Sequence, residues 1–140
     1  MSAPQRLATV HVLTGRRPIV LDAGALIALE SHGNRVAWAI ERARAGNRRI
    51  HIPSGALAQA WRHGRRQTTL ARLLKTPGVV ETGLDWAQAR RIGALLGITA
   101  TTDVVDAQVA IIAHDLDAVV LTSDPRDLAA LDPRLRLITV

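Results

Sequence analysis

Short runs that are apolar at every position alternate along this chain with longer segments of helical composition. A run that is continuously apolar, and not apolar at every second position, is typical of a strand buried on both faces of a parallel sheet. No hairpin signal such as Asn-Gly joins two of the runs, so the pattern predicts an α/β fold with a mainly parallel sheet. The predicted strands are 18–21, 50–52, 79–81, 118–121 and 135–140.

Polar residues and breakers delimit the predicted helices between these strands. Gly46 and Gly97 are predicted to end the second and fifth helices, and Gly64 to separate the third from the fourth. The helices are predicted over 22–30, 35–45, 53–61, 68–75, 86–96 and 103–114, with a short last one after Pro125. Residues 1–17 are irregular and basic, so we expect a basic N-terminal extension over 1–17 and one domain over 18–140.

Composition narrows the class of protein. A chain of 140 residues fits one domain, and a hydrophobic fraction of 48% excludes a mostly disordered chain. The absence of cysteine excludes disulfides, thiol catalysis and thiolate metal sites. No apolar run reaches the roughly 18–20 residues that span a bilayer, and the N-terminus lacks the pattern of a signal peptide. We therefore expect a cytoplasmic protein with no membrane partner.

The net charge of +6 is unevenly distributed. Residues 35–75 carry nine arginines and Lys75 against Glu41 alone, whereas residues 76–140 carry five arginines against nine acids. A basic block of this kind either binds a polyanion through its phosphates or forms a solvated helix face. Because Phe and Tyr are absent and only three tryptophans occur, any nucleic acid would be gripped by its backbone more than by base stacking.

Four aspartates are predicted to converge at one edge of the sheet. Asp22 and Asp124 follow two of the most apolar runs, and parallel α/β sheets bind ligands beyond the carboxyl ends of their strands. Asp103 and Asp106 stand three residues apart in the first turn of a helix, and so on neighbouring surface positions. Converging carboxylates repel one another unless a cation lies among them, and Mg²⁺ prefers such oxygen ligands.

A magnesium site of this kind can activate water for hydrolysis of a phosphodiester, and the basic block could then hold the substrate backbone. Each aspartate also has a simpler interpretation. Asp22, Asp103 and Asp124 are favoured helix caps, while Asp106 and Asp127 suit the first turn of a helix. Asp127 is assigned only that helix role. The histidines show no HxxxH or HExxH spacing, so a zinc site is not expected.

Four segments, taken in order, resemble the PIN domain, and most of all the VapC toxins of bacterial VapBC toxin–antitoxin pairs. The segments are IVLDAGALIALE, HIPSGALAQAWR, TDVVDAQVAIIAH and VVLTSDPRDLAAL, and the resemblance covers residues 18–140. It implies a three-layer α/β/α sandwich and an endoribonuclease dependent on Mg²⁺ or Mn²⁺. It also implies a homodimer, an RNA substrate and a cognate VapB-like antitoxin as partners. Carried over by motif, Asp22, Asp106 and Asp124 would hold the metal, with Asp103 as an auxiliary candidate.

Gln59 departs from the family pattern, which has a glutamate at this position. Gln59 keeps an oxygen acceptor and loses the charge, so it would bind a metal more weakly and could not act as a base. The candidate catalytic set is therefore Asp22, Gln59, Asp103, Asp106 and Asp124. The alternative is a catalytically weakened or inactive PIN-like module that binds RNA or an antitoxin. A phosphoacceptor signalling domain ranks last, because the single lysine, Lys75, lies in the basic block.

Overall fold

Five short parallel strands form the central sheet of the computed structural model, which describes residues 15–31, 34–62 and 67–140. The strands pair in the order β3-β2-β1-β4-β5. β1 lies at the centre, where Ile19 pairs with Ile50 of β2 and with Val119 of β4. All five predicted strands are confirmed within one or two residues. The bounds are β1 Ile19–Leu21, β2 Ile50–Pro53, β3 Val79–Thr82, β4 Val119–Thr122 and β5 Arg136–Thr139.

The described part of the chain contains seven helices, which flank the sheet as a three-layer α/β/α arrangement. The predicted fold class is therefore confirmed. The helices are α1 Ala23–Glu30, α2 Asn34–Ala45, α3 Ser54–Ala60, α4 Thr68–Leu74, α5 Trp86–Thr99, α6 Val104–Leu116 and α7 Pro125–Leu131.

The predicted end of α5 and the predicted role of Gly46 differ from the structure. α5 does not stop at Gly97 but continues to Thr99, whose hydroxyl donates to the Leu95 carbonyl at 2.9 Å and stabilises the last turn. α2 ends at Ala45, as expected, but the residue with positive φ is Asn47 and not Gly46. Gly64 and residues 1–14 lie outside the described residues, so the breaker at Gly64 and the extension over 1–17 stay predictions.

α6 organises the core because it is apolar on two sides. Val109 and Ile112 face the main core formed with the sheet and the helices α1 to α4. Ala107, Ala110 and Ile111 face a second core shared with α5 and α7. No single described helix is long and apolar enough to cross a membrane; only α5 and α6 together, across a 107° bend, meet that test. The amino end of this buried helix lies where the candidate carboxylates are expected.

Candidate active site

The register of β1 and β4 brings two of the predicted carboxylates to the same edge of the sheet. Leu21 pairs with Leu121, and the Asp22 N–H continues the ladder by donating to the Leu121 carbonyl at 3.2 Å. Asp22 and Asp124 therefore leave neighbouring strands at their carboxyl ends. The burial of both strands, and not a special loop, fixes this convergence.

Asp22 is nearly buried, with 5% of its surface exposed. Its Oδ1 accepts from the Ala25 N–H at 2.8 Å, so it does cap α1 as its simpler interpretation requires. The Thr122 hydroxyl also donates to this carboxylate. Burial raises the pKa of Asp22 above its ordinary value despite these hydrogen bonds, and the charge of Asp124 adds to the increase.

Gly24 lets the start of α1 approach the loop after β4. A Cβ on Gly24 would lie 2.9 Å from the Cβ of Ser123, closer than real side chains allow. The loop that carries Asp124 thus packs directly on the backbone next to Asp22. A side chain at position 24 would push the two acids apart.

Asp103 and Asp106 complete the group from the first turn of α6. Asp103 is the N-cap, and its Oδ1 accepts from the Asp106 N–H at 2.9 Å. Burial raises the pKa of Asp106 to about 6, and the charges of Asp103, Asp127, Asp22 and Asp124 contribute in that order. One half-buried carboxyl is therefore under the influence of acids from β1, α6 and the turn after β4.

Asp124 does not have the capping role that its sequence position suggested. Its side chain makes no capping hydrogen bond to α7, although Pro125 begins that helix. Its backbone N–H donates to the Thr122 hydroxyl at 2.9 Å, so Thr122 links the Asp124 backbone to the Asp22 carboxylate. The Asp124 carboxylate is not used as a cap and lies at the edge of the sheet next to Asp127.

Asp127 is the site residue that the sequence analysis missed. A hydrogen bond with Asp124, together with the charge of that residue, raises the pKa of Asp127, and Asp103 contributes further. The spacing of Asp124 and Asp127 already indicated this contact, since residues three apart on a helix are neighbours. Asp127 was assigned only a first-turn helix role because an acid is favoured there in any case. We call Asp22, Asp103, Asp106, Asp124 and Asp127 the carboxylate cluster.

Gln59 lies on α3, which contacts both α1 and α6. Its side chain is exposed, and within the described residues it makes no hydrogen bond to the carboxylate cluster. α3 therefore borders the cluster from another side and brings no charge to it.

The donors of the cluster suit a hard divalent cation, because all of them are carboxylate oxygens. The side chains are not drawn together into a closed cage, since among the described residues no three acids or histidines are grouped closely enough to hold one ion. Mg²⁺ is usually held by one or two carboxylates and keeps several waters, so an open arrangement of this kind fits it.

No protein-family model and no curated protein matches the sequence. Solved structures do match the fold. The chain is similar to a chain of VapBC2 from Rickettsia felis, solved bound to a DNA fragment from its promoter, with TM-score 0.66 and 19% identity over 87% of this chain and 98% of that one.

Two other solved structures are similar in the same way. VapC20 from Mycobacterium tuberculosis, described as a toxin that cleaves the sarcin–ricin loop, has TM-score 0.58 and 16% identity over 80% of this chain and 94% of its own. FitAcB from Neisseria gonorrhoeae has TM-score 0.54 and 14% identity over 86% and 96%. At these identities the likeness establishes a shared fold: the chain has the PIN-like fold of VapC-type toxins.

Proposed function

We propose that the chain is a metal-dependent endoribonuclease and the toxin of a toxin–antitoxin pair. The observation that carries this proposal is the carboxylate cluster at the carboxyl edge of β1 and β4. In it Asp106 has its pKa raised to about 6 mainly by burial and by four other aspartates. Carboxyl groups whose pKa is raised by burial and by one another are typical of a functional site.

In this proposal Asp22, Asp106 and Asp124 hold Mg²⁺ or Mn²⁺, and Asp103 and Asp127 complete the negative field around it. When bound, the cation supplies Lewis-acid stabilisation of phosphate oxygens and lowers the pKa of a water molecule. Asp22 is held for this role by Ala25 and Thr122. Because Asp106 must be ionised to act as a ligand, metal affinity should increase as the pH rises through about 6.

RNA is the proposed substrate because the basic block lies in the same domain as the cluster. Exposed cations occur on α2, after α3 and on α4, at Arg42, Arg44, Arg62, Arg72 and Lys75. Contacts of this kind neutralise phosphates and give binding that weakens steeply with salt. The similarity of fold to VapC20, described as a toxin that cleaves the sarcin–ricin loop, supports the same class of substrate.

A VapB-like antitoxin and a second copy of the chain are the proposed protein partners. The structural matches include VapBC and FitAB assemblies. α5 leaves Trp86 and Ile98 more than 80% exposed, so two large apolar side chains of this helix are open to contact with a partner. We place the action of the protein in the cytoplasm, where its RNA substrate is found.

The direct test incubates the purified chain, free of antitoxin, with total RNA and with synthetic stem–loops. We expect cleavage with Mg²⁺ or Mn²⁺, loss of cleavage with EDTA, and recovery when the metal is added back. Cleavage that persists in EDTA would contradict the metal-dependent mechanism. No cleavage of any RNA under these conditions would contradict the enzyme.

A second candidate function is a binding module without catalysis, which the neutral Gln59 favours. The variant Gln59→Glu separates the two proposals. A gain in cleavage would show that the site is otherwise intact and that the native glutamine limits it. No gain, together with RNA binding that falls steeply with salt, would favour the binding module.

A further inference from the structure

A buried carboxamide joins the helix that carries Asp106 to the helix that carries Gln59. Gln108 lies two residues after Asp106 on α6 and is 2% exposed. Its Oε1 accepts from the Gly55 N–H at 2.9 Å, in the first turn of α3. Its Nε2 donates to Gln88 Oε1 on α5 at 3.0 Å and to the Ser54 hydroxyl at 3.3 Å.

The Gly55 backbone N–H fixes the orientation of this carboxamide, because a backbone N–H can only donate. The oxygen of Gln108 must therefore face Gly55, and its nitrogen faces the oxygens of Ser54 and Gln88. The Gly55 N–H belongs to the first turn of α3, where backbone donors have no partner within the helix. Gln108 therefore supplies the missing acceptor and ties the start of α3 to α6.

Gly55 permits this close contact between α3 and α6. A Cβ at position 55 would lie 2.9 Å from Gln108 Oε1 and 3.3 Å from Val105 Cγ2. Any larger residue would displace the Gln108 carboxamide or move the first turn of α3 away from α6. The pair formed by Gly55 and Gln108 thus sets the separation of the two helices.

We propose that Gln108 is a positioning residue, which holds position 59 of α3 at a fixed distance from the carboxylates of α6. This inference rests on the proposed function, because the distance matters only if a cation binds there. With glutamine at position 59 the effect on metal binding is small, since a neutral side chain contributes little to the site. With a carboxylate at position 59 the same link decides whether that carboxylate reaches the cation.

The test is a double-mutant cycle on the full chain, with Mn²⁺ affinity measured by isothermal titration calorimetry. The four proteins are the native chain, Gln59→Glu, Gln108→Leu and the double variant. In the Gln59→Glu background we expect Gln108→Leu to weaken Mn²⁺ binding about tenfold, as loss of an orienting partner does at other metal sites. In the native background we expect a change below about twofold, and the difference is the coupling between positions 108 and 59.

Gln88→Ala is the matched control, because it removes the hydrogen bond of Gln108 to α5 and leaves both bonds to α3 intact. It should lower the melting temperature but leave Mn²⁺ affinity unchanged in the Gln59→Glu background. Gly55→Ala perturbs the hydrogen bond between Gly55 and Gln108 from the α3 side. It replaces Gln108→Leu in the test if that variant does not fold. Gly55→Ala should reproduce the selective loss of affinity.

An equal change in both backgrounds, or none in either, would overturn the positioning role while leaving the proposed nuclease in place. Loss of the fold in both Gln108→Leu and Gly55→Ala would assign the link to stability alone and would overturn the role as well. If no variant binds Mn²⁺, the proposed metal-dependent function fails, and the positioning role fails with it.

Discussion

Eight of the nine aspartates of this protein fall into two groups with opposite environments. Those of the carboxylate cluster lie among one another, and burial together with like charges raises the pKa of Asp106 to about 6. At the other end of α6, Arg91 makes a bidentate contact with Asp115: its Nη1 donates to Oδ2 at 2.6 Å and its Nη2 to Oδ1 at 2.7 Å. This contact lowers the pKa of Asp115. Nearby, Asp132 bonds Arg134, and Asp117 bonds Arg17 and Arg136.

The contrast separates acids whose charge an arginine compensates in the folded state from acids whose charge lies among like charges. Arg91 compensates the charge of Asp115, so this acid favours the folded state. Carboxylates that repel one another disfavour it, and such groups are usually retained where a cation or substrate supplies the missing compensation. The two groups can therefore be told apart by experiment, although they consist of the same residue type.

The largest expected difference between the two groups lies in RNA cleavage. Asp106→Asn removes a proposed metal ligand, and the stabilisation that a metal gives the transition state amounts to several kcal/mol. We expect cleavage to fall by about 100-fold or more, since each 1.36 kcal/mol is a factor of ten in rate. The measurement is the single-turnover cleavage rate at saturating Mn²⁺.

Asp115→Asn is the matched control, because it makes the same chemical change at the other end of the same helix. Its cleavage rate should stay within about twofold of the native value. Equal loss in the two variants would show that the assay reports stability and not the site.

The next largest difference concerns Asp127, compared with Asp132 in the arginine-paired group. Asp127 contributes charge next to Asp124 and is not among the proposed direct ligands. Asp127→Asn should therefore reduce Mn²⁺ affinity by about tenfold, the size expected for an outer partner at a metal site. Calorimetry at constant pH measures this change. Asp132→Asn should leave the affinity unchanged, and a similar loss in both variants would remove Asp127 from the site.

Sequence alone predicted the fold and four members of the cluster, for identifiable reasons. Continuous apolar runs revealed the strands because both faces of a parallel sheet are buried. Asp22 and Asp124 could be located because they directly follow such runs. Asp127 was missed although it stands only three residues after Asp124, because an acid in the first turn of a helix is favoured without any further role. Gln108 was missed because its contact is tertiary, since it bonds a backbone 53 residues away. Local pattern favours a helix surface for the first and a plain core position for the second.

Stability should depend on pH with opposite sign at Asp106 and at Asp115. The pKa of Asp106 is raised in the folded state, so the folded state binds the proton more tightly, and stability falls as the pH rises from about 4 to about 6. Asp106→Asn should therefore raise the melting temperature of the metal-free protein by about 2–3 °C at pH 7.5 and not at pH 4. Thermal unfolding in EDTA measures both values.

Asp115→Asn supplies the opposite sign in the same assay. Its lowered pKa means that its stabilisation is present above its unfolded pKa and is lost as the pH falls through the folded one. This variant should be less stable than the native chain at pH 7.5, and the deficit should shrink towards pH 3. Stabilisation by Asp115→Asn at neutral pH would contradict the division into two groups.

The smallest effect is expected at Asp117, the most exposed acid of the arginine-paired group. Its side chain is 64% exposed and lies between Arg17 and Arg136, whose side chains are 40% and 45% exposed. Exposed ion pairs contribute little because water screens the charges and ordering the side chains costs entropy. Asp117 also has a φ of 51°, a left-handed conformation that asparagine tolerates as well as aspartate does.

Asp117→Asn should therefore shift the melting temperature by about 1 °C or less, whereas Asp117→Ala should lower it further because alanine disfavours that backbone. If Asp117→Asn and Asp117→Ala cost the same large amount, the ion pairs themselves hold this end of the fold together. The arginine-paired acids would then differ from the carboxylate cluster in two ways: their charges are compensated, and their ion pairs stabilise the fold.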